Sequence, residues 1–344
     1  MIALARRSTA LSDLDVESSI RRRLYGERGE RRATPISRRL RASGAPGARA
    51  GDVVGGRYRL LELLQAGGMA TVHRAWDVRL DRAVAVKVIA ERFAHNATVA
   101  RRLRREAQLC ARLSHPNVVA VLDAGAQPRD FIVMELIDGL DARALLERRG
   151  PLTAGETVDV VAQAADALAH VHARQVLHGD VSLGNVLISR ADGTAKLVDF
   201  GVAAALDSLT GRGEGVVMGT PGYVAPEVLA GAGRSVQSDL YSLAVVAYRL
   251  LVAPAHPRRS DPDATLPGPT AGPRMSPLDE ARPDLPRGLL AALQRALAPD
   301  PASRQQSVAH FRAELVGSST VPVTLQPRTC APSRSATSAL PRAA

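Results

Sequence analysis

Three oxygen-bearing side chains fall within two short stretches near the middle of the sequence. Asp180 and Asn185 lie in HGDVSLGN (178–185), and Asp199 begins DFG (199–201), fourteen residues after Asn185. Carboxylate and amide oxygens are the ligands that hard cations such as Mg²⁺ prefer in proteins. The two stretches therefore offer oxygen atoms suited to binding a metal ion.

Lysine is rare in this chain, which makes each one informative. Of the 45 basic residues only Lys87 and Lys196 are lysines, and the other 43 are arginines. Lys87 ends VAVK (84–87), within a β-branched run that predicts a strand. A compact ammonium and a planar guanidinium are not interchangeable in a charged site. Lys87 is therefore a candidate functional residue, although an ordinary exposed strand lysine is the simpler alternative.

The stretch LLQAGGMATV (63–72) contains two adjacent glycines, Gly67 and Gly68. Glycine lets backbone amide groups approach a phosphate closely, so this turn is a candidate phosphate-binding loop. The glycine pattern is partial, because Gln65 and Ala70 stand where a full glycine-rich loop would have glycine. An ordinary β-turn would also accommodate the two glycines.

Two groups of predicted elements must position these side chains. The first is rich in strands and contains one helix (99–113), with apolar residues at helical spacing and arginines on the other face. The second is mainly helical, and its residues 254–286 hold nine of the 22 prolines, which predicts a surface loop. Strands are predicted within 57–68, 83–90, 114–125, 130–139, 186–189 and 195–201, and further helices within 156–175, 228–252 and 287–316.

The net charge of +11 belongs to the two ends of the chain. Residues 1–50 hold 12 arginines and five acids, and 317–344 hold three arginines and no acids, whereas 51–316 are nearly neutral. Basic tails can bind an acidic partner, a nucleic acid or a lipid surface. These tails lack the interleaved aromatic residues of nucleic-acid binders, so we expect disordered tails and no nucleic-acid partner.

Two classes of protein are excluded by simple patterns. There is no apolar run of about 18 residues, so no membrane span is expected, and the N-terminus lacks the apolar stretch of a secretion signal. The two cysteines, Cys110 and Cys330, have no metal-type spacing and suggest no disulfide framework. We therefore expect a protein of the reducing cytoplasm.

Taken in order and spacing, these stretches resemble the bacterial Hanks-type serine/threonine protein kinases. VAVK, HGDVSLGN and DFG are followed by GTPGYVAPE (219–227), whose Glu227 lies 28 residues after Asp199. SDLYSLAVV (238–246) and PDPASRQQS (299–307) extend the likeness, which covers about 57–315. The chain resembles a soluble member of that family, because no membrane span follows the matching region.

The resemblance implies an α+β, bilobal protein kinase fold. A small β-rich N-lobe with one helix would span about 57–134, and a hinge would span 135–138. A larger, mainly helical C-lobe would span 139–316, so that the whole kinase domain covers 51–316. Basic tails, 1–50 and 317–344, would flank it and would be mostly disordered.

The resemblance also implies roles for individual residues, with ATP and Mg²⁺ as cofactors and protein serine or threonine as acceptor. Asp180 would act as the base or orient the acceptor hydroxyl, and Asn185 and Asp199 would bind the metal. Lys87, paired with Glu106, would hold the α- and β-phosphates. In addition, Glu227 would pair with Arg304, and Asp239 would support the catalytic loop. The other residues implied in nucleotide binding are Leu64, Gly67, Gly68, Val72, Ala85, Glu135, Ile137 and Leu187.

The catalytic loop, residues 178–185, departs from the family pattern at Gly179 and Ser182. Gly179 replaces an arginine that grips a phosphorylated activation segment, so phosphorylation of Ser208 or Thr210 is expected to gate activity weakly, if at all. Ser182 replaces a lysine near the γ-phosphate, and losing one such preorganised donor can cost ~10²–10³ in rate.

Two features bear on whether the chain is an active enzyme or a pseudokinase. Tyrosine-specific kinases place an arginine just before the metal-binding asparagine, but here that residue is Gly184. The Ser182 hydroxyl could instead bond Thr220, itself a candidate self-phosphorylation site, or the acceptor, which keeps Ser182 among the catalytic candidates. The sequence thus favours an active serine/threonine kinase in bacterial signalling that phosphorylates itself, with a nucleotide-binding pseudokinase as the alternative.

Overall fold

The computed structural model describes residues 48–94, 96–200, 219–252 and 277–318. The predicted tails lie almost wholly outside these ranges, as do most of the proline-rich stretch, Ser208 and Thr210. Within the described part of the chain, no helix is both long enough and apolar enough to cross a membrane.

The N-terminal part of the described chain is a six-stranded antiparallel sheet with one long helix. Its strand order is β1-β2-β3-β4-β6-β5, and β1 precedes residue 57, so the sheet begins earlier than the N-lobe predicted from the sequence. The strands are β1 (Val53–Val54), β2 (Tyr58–Ala66), β3 (Ala70–Asp77), β4 (Arg82–Ile89), β5 (Val121–Gly125) and β6 (Phe131–Glu135), and the helix is α1 (Ala97–Cys110).

Both faces of β4 are buried, because successive side chains of a strand point to opposite faces. Val84 and Val86 pack on one side with Phe131 of β6. On the other side Ala85 packs with Leu103 of α1. The strand that carries Lys87 is thus fixed between two apolar layers, and α1 is held against the layer on which Ala85 lies.

The C-terminal part is mainly helical and contains a small antiparallel sheet of order β7-β8-β9. Its apolar core is built mostly of alanine, valine and leucine, as the 3% aromatic content requires. The elements are β7 (Gly139–Asp141), α2 (Ala142–Arg149), α3 (Ala154–His172), β8 (Val186–Ser189), β9 (Ala195–Leu197), α4 (Pro226–Leu229), α5 (Val236–Leu251), α6 (Leu278–Ala281), α7 (Arg287–Ala296) and α8 (Val308–Gly317).

The predicted helices differ from the observed ones mainly at their ends. α3 begins two residues earlier than predicted, because Thr153 and Glu156 form a capping box that accepts the first free amides. The helical region predicted at 287–316 is two helices, α7 and α8, separated by a segment that contains Pro299 and Pro301. Proline disrupts a helix interior, which accounts for the break.

Asn117 joins the sheet to the helical part. Its buried side-chain amide donates to the Ala195 carbonyl at 2.8 Å and to Gln163 Oε1 at 3.0 Å. Close by, the Val119 amide donates to the Leu197 carbonyl at 3.0 Å. The β8–β9 hairpin, from which two of the candidate site residues project, is therefore fixed directly to the segment that follows α1.

Candidate active site

The β8–β9 hairpin brings Asn185 and Asp199 together. A single 3₁₀ turn (Leu183–Asn185) leads into β8, and the Val198 amide donates to the Asn185 carbonyl at 3.0 Å. Because β8 pairs with β9 in antiparallel register, the residue before one strand lies beside the residues after the other. Asp199 is therefore next to Asn185, as the metal site predicted from the sequence requires.

Lys87 lies between two carboxylates. Its Nζ is 2.8 Å from Glu106 Oε1 and 2.8 Å from Asp199 Oδ1, so the predicted pair with Glu106 is present. Burial by itself would lower the pKa of Lys87, but the nearby Asp199 and Glu106 carboxylates outweigh it and raise that pKa well above its usual value. The lysine is thus a permanent cation that connects β4, α1 and the DFG stretch.

Asp180 is oriented by hydrogen bonds to both of its carboxylate oxygens. The Thr220 amide and hydroxyl each donate to Oδ1 at 2.8 Å. Asn185 Nδ2 donates to Oδ2 at 3.1 Å and to the Asp180 carbonyl at 2.8 Å. No hydrogen bond joins Thr220 to Ser182 among the described residues, so the bond suggested from the sequence is not formed; the Thr220 hydroxyl is held by Asp180.

Asp239, in the first turn of α5, supports the catalytic loop through hydrogen bonds, as predicted. Its carboxylate accepts from the backbone amides of His178 and Gly179, each at 2.8 Å, and contacts His172 Nε2 at 2.8 Å. Burial alone would raise the pKa of Asp239, but the hydrogen bond and charge of His172 lower it below its usual value. An ionised carboxylate therefore anchors the first two residues of the loop.

His178 ties the catalytic loop to the DFG stretch. The Asp180 amide donates to its Nδ1 at 3.2 Å, which leaves the proton on Nε2 to bond the Val198 carbonyl at 3.1 Å. The ring also packs against Phe200, with centroids 4.8 Å apart. Complete burial lowers the pKa of His178, so the imidazole is neutral and serves as a structural bridge.

The backbone conformation of Gly179 explains why the loop departs from the family pattern at this position. Its φ is +74°, in the left-handed region where a side chain adds strain, and glycine removes that strain. The Arg234 guanidinium donates to the Gly179 carbonyl. A cation from the segment before α5 thus lies beside the position at which the loop lacks its expected arginine.

A cavity of about 460 Å³ opens beside these residues. Its wall includes the glycine turn, Lys87 and Asp180, together with residues that the sequence did not assign to nucleotide binding, such as Met69 and Thr220. Seven of the predicted site residues line it: Gly67, Gly68, Val72, Lys87, Glu106, Asp180 and Asp199. The others, Leu64, Ala85, Glu135, Ile137, Ser182, Asn185 and Leu187, lie outside its lining.

Three of the residues outside that lining have clear surroundings. Ala85 and Leu187 belong to the same apolar cluster as Val72, which does line the cavity. The Glu135 side chain accepts from Lys196 at 2.7 Å and from the Ala120 amide at 2.8 Å. Both bonds end on Oε1 of Glu135, and the Glu135 backbone amide also donates to the Ala120 carbonyl, at 3.0 Å.

The donor set of the site fits a hard divalent cation. Asp199 contributes a carboxylate. The Nδ2 of Asn185 makes the bonds to Asp180, and no residue that the structure describes donates to Asn185 Oδ1. No group of three or more His, Cys, Asp or Glu suited to a metal occurs among the described residues. Two protein oxygens are enough where phosphate oxygens and water complete the coordination, which is how Mg²⁺ is usually held.

Sequence reasoning missed two contacts of this site. The Arg92 guanidinium donates to the Gly68 carbonyl at the glycine turn, and no motif marks Arg92. The bonds from Thr220 to Asp180 span 40 residues. In the sequence, only the tripeptide Gly-Thr-Pro (219–221) pointed to Thr220. Both contacts join segments that are distant in sequence, so spacing alone could not predict them.

Comparisons with known proteins agree with this geometry. A family model for the protein kinase domain matches residues 58–270. Serine/threonine-protein kinase PknB of Mycobacterium tuberculosis is 38% identical over 269 residues, which cover 76% of this chain and 42% of that protein. Serine/threonine-protein kinase PrkC of Bacillus subtilis is 38% identical over 202 residues, covering 58% of this chain and 31% of PrkC. The chain thus spans less than half the length of these relatives.

A solved structure of a kinase domain has the same fold. The Mycobacterium tuberculosis PknI kinase domain superposes with a TM-score of 0.61 at 29% identity, covering 79% of this chain and all of that domain. The α+β fold predicted from the sequence, with an N-terminal sheet and a mainly helical C-terminal part, is confirmed as the protein kinase fold. With the motifs in their expected order, the family match and the shared fold, the chain belongs to the protein kinases, as a bacterial Hanks-type member.

Proposed function

We propose that this chain is an active kinase that transfers the γ-phosphoryl group of ATP to serine or threonine hydroxyls of proteins, with Mg²⁺ as the metal. The observation that carries the proposal is the position of Lys87, whose Nζ is 2.8 Å from both Glu106 and Asp199. Kinases need this lysine–glutamate pair and the DFG aspartate in place at the same time.

In the proposed reaction, the acceptor oxygen forms a bond to the γ-phosphorus. The bond from that phosphorus to the β–γ bridging oxygen breaks, and ADP leaves with the bonding electrons. Asp180 orients the acceptor hydroxyl and takes its proton. Lys87 holds the α- and β-phosphates, while Asn185 and Asp199 would hold Mg²⁺, which offsets charge on the phosphates.

The nucleotide would lie with its phosphates under the turn of Gly67 and Gly68. The adenine would lie against apolar side chains, and the cluster of Val72, Ala85 and Leu187 supports this placement. We assign Leu64 and Ile137 to the same apolar surface and the Glu135 backbone to the base edge. Apolar walls with a few fixed polar groups are typical of small-molecule sites.

The proposed catalytic domain spans 51–316 and acts in the cytoplasm, where ATP is available and the buried thiol of Cys110 stays reduced. Its substrates are other proteins and also the chain itself. Thr220 is a candidate for self-phosphorylation, since its hydroxyl already lies 2.8 Å from the proposed base.

The proposal is tested by incubating the purified chain with labelled ATP, Mg²⁺ and a generic basic protein substrate. Lys87→Met should abolish transfer. Arg82→Met, an exposed change on the same strand, should leave transfer within about twofold, because surface substitutions rarely disturb a fold. A rise in melting temperature with ATP, but no transfer by the unmodified chain, would identify a nucleotide-binding pseudokinase instead.

A further inference from the structure

The catalytic loop contains no lysine or arginine at all. Phosphoryl transfer gathers negative charge around the γ-phosphorus, and a fixed cation directed at that charge speeds the reaction. Lys87 is already engaged by Glu106 and Asp199, on the nucleotide side of the site. The acceptor side, where Ser182 stands in place of a lysine, therefore needs a positive charge from another part of the chain.

Arg143 lies beside the place where that charge is missing. It is the second residue of α2, and α2 packs against the turn Leu183–Asn185. Its Nη2 lies 3.4 Å, and its Cζ 3.8 Å, from the point where a β-carbon on Gly184 would be. Ser182 Oγ lies 3.9 Å from the same point. The guanidinium and the serine hydroxyl thus border one small volume next to the loop.

No residue in the described part of the chain neutralises the charge of Arg143. Its side chain is exposed, and among the described residues it takes part in no ion pair or hydrogen bond. Arg149, on the same helix, differs in being paired with Glu156 at 2.6 Å. Arg234 is a second cation near the loop in the described part of the chain, but its guanidinium donates to the Gly179 carbonyl, at the other end of the loop from Gly184.

We propose that Arg143 is a catalytic residue that contacts the γ-phosphoryl group during transfer. The guanidinium supplies, from α2, the cation that the loop itself lacks at Ser182. Gly184 is part of the same arrangement, because a β-carbon there would already be in van der Waals contact with the guanidinium, at 3.4 Å from Nη2. The inference rests on the proposed kinase activity and adds a residue that none of the loop motifs identifies.

Steady-state kinetics with ATP, Mg²⁺ and one peptide substrate test the proposal. Arg143→Ala should lower kcat about 10²-fold, the cost of removing one preorganised donor, and change KM for ATP less than twofold. Arg143→Lys should retain part of the rate. Arg148→Ala is the matched control, an exposed arginine on a different face of the same helix, and should stay within twofold of the unmodified chain.

A rescue variant separates catalysis from peptide binding. Ser182→Lys should restore most of kcat to Arg143→Ala, because it returns the cation to the loop. Melting temperatures establish that each variant is folded. If Ser182→Lys fails to fold, the intermediate rate of Arg143→Lys takes its place as the supporting result.

Three outcomes have distinct meanings. No transfer by the unmodified chain would overturn the proposed function itself. Equal rates for Arg143→Ala and Arg148→Ala in an active enzyme would overturn the role of Arg143 alone. In a third outcome, Arg143→Ala loses activity only with peptides that carry acidic residues, and the loss is a rise in KM for the peptide. Arg143 would then be a peptide-binding residue, and its contact with the phosphoryl group would be refuted.

Discussion

At the scale of single residues, Thr220 is the side chain that most directly touches the proposed base. Its hydroxyl and its amide both donate to Asp180 Oδ1, so the carboxylate has one orientation fixed before any substrate arrives. Asn185 holds the second oxygen. Fixed groups cost no reorganisation during the reaction, which is why such contacts accelerate it.

Replacing Thr220 by valine tests that contribution. The change removes the hydroxyl bond and keeps the size of the side chain and the amide bond. A hydrogen bond to a charged group contributes about 1.5–3 kcal/mol, so we expect kcat to fall by about tenfold or more. Thr220→Ser keeps the hydroxyl and should retain most of the rate. Equal rates for the two variants would show that the hydroxyl does not help.

His178 predicts a dependence of stability on pH. Its pKa is lowered by burial, so the unfolded chain, where histidine titrates near 6.5, binds its proton more tightly than the folded chain. The contribution of His178 to the free energy of unfolding is fully present above about pH 7. It is lost as the pH falls below about 6.5, by at most about 1.4 kcal/mol per pH unit. Asp239, Asp180 and Asp199 partly oppose the shift.

The measurement is the free energy of urea unfolding between pH 7.5 and 5 for the unmodified chain and for His178→Phe. The variant should be less stable at pH 7.5, because it loses the bonds to Val198 and Asp180. Its curve should fall less steeply with decreasing pH. Parallel curves would show that His178 does not take up a proton on unfolding.

At the scale of elements, the buried Arg304 connects the segment between α7 and α8 to two helices, α4 and α5. Its guanidinium makes two bonds to Glu227 of α4, at 2.7 and 2.8 Å, and one to the Gln237 carbonyl of α5 at 2.9 Å. It also lies over the Tyr241 ring, 4.8 Å from the centroid. The segment between α7 and α8 is thereby fixed to the region that follows Thr220.

Arg304→Ala should be strongly destabilising, because it leaves Glu227 without its partner in a poorly hydrated place. Removing one member of a buried pair costs about 3–5 kcal/mol. Arg295→Ala breaks a more exposed pair with Glu314, at 2.9 Å, and should cost less than about 1 kcal/mol. Unfolding in urea measures both, and a loss below about 1 kcal/mol for Arg304→Ala would contradict this account.

At the scale of the whole molecule, the link between the sheet and the helical part decides how the site is assembled. Lys87 comes from the sheet, whereas Asp180, Asn185 and Asp199 come from the loop and hairpin of the other part. Asn117 is one of the side chains that bridge them, through the Ala195 carbonyl and Gln163. The site therefore depends on contacts that are remote from the chemistry.

Asn117→Ala should weaken that link. The change leaves the buried Ala195 carbonyl with one bond fewer, and an unsatisfied buried group costs about 1–3 kcal/mol of unfolding free energy. Amide exchange in β8 and β9 should accelerate, and kcat should fall, because the proposed metal ligands Asn185 and Asp199 loosen. Gln108→Ala, an exposed amide on α1, is the control and should change stability by less than about 0.5 kcal/mol. Unchanged exchange in the hairpin would refute the link.

The sequence by itself determined the fold and pointed to several residues of the candidate site. The order and spacing of VAVK, HGDVSLGN, DFG and GTPGYVAPE were enough to predict the kinase fold, and the scarcity of lysine singled out Lys87. The pairs of Lys87 with Glu106 and of Glu227 with Arg304 could be predicted because motif positions specify them. Such features are encoded in residue type and local spacing.

Only the tertiary structure decided which charges stand beside the catalytic loop. From the sequence, Gly179 and Ser182 are two losses of positive charge, and nothing about Arg143 or Arg234 connects them to the loop. In the folded chain both arginines lie against it, Arg234 on the Gly179 carbonyl and Arg143 beside Gly184. Electrostatic effects depend on distance in space and not on separation in sequence, so a residue far along the chain can supply a charge that a motif lacks.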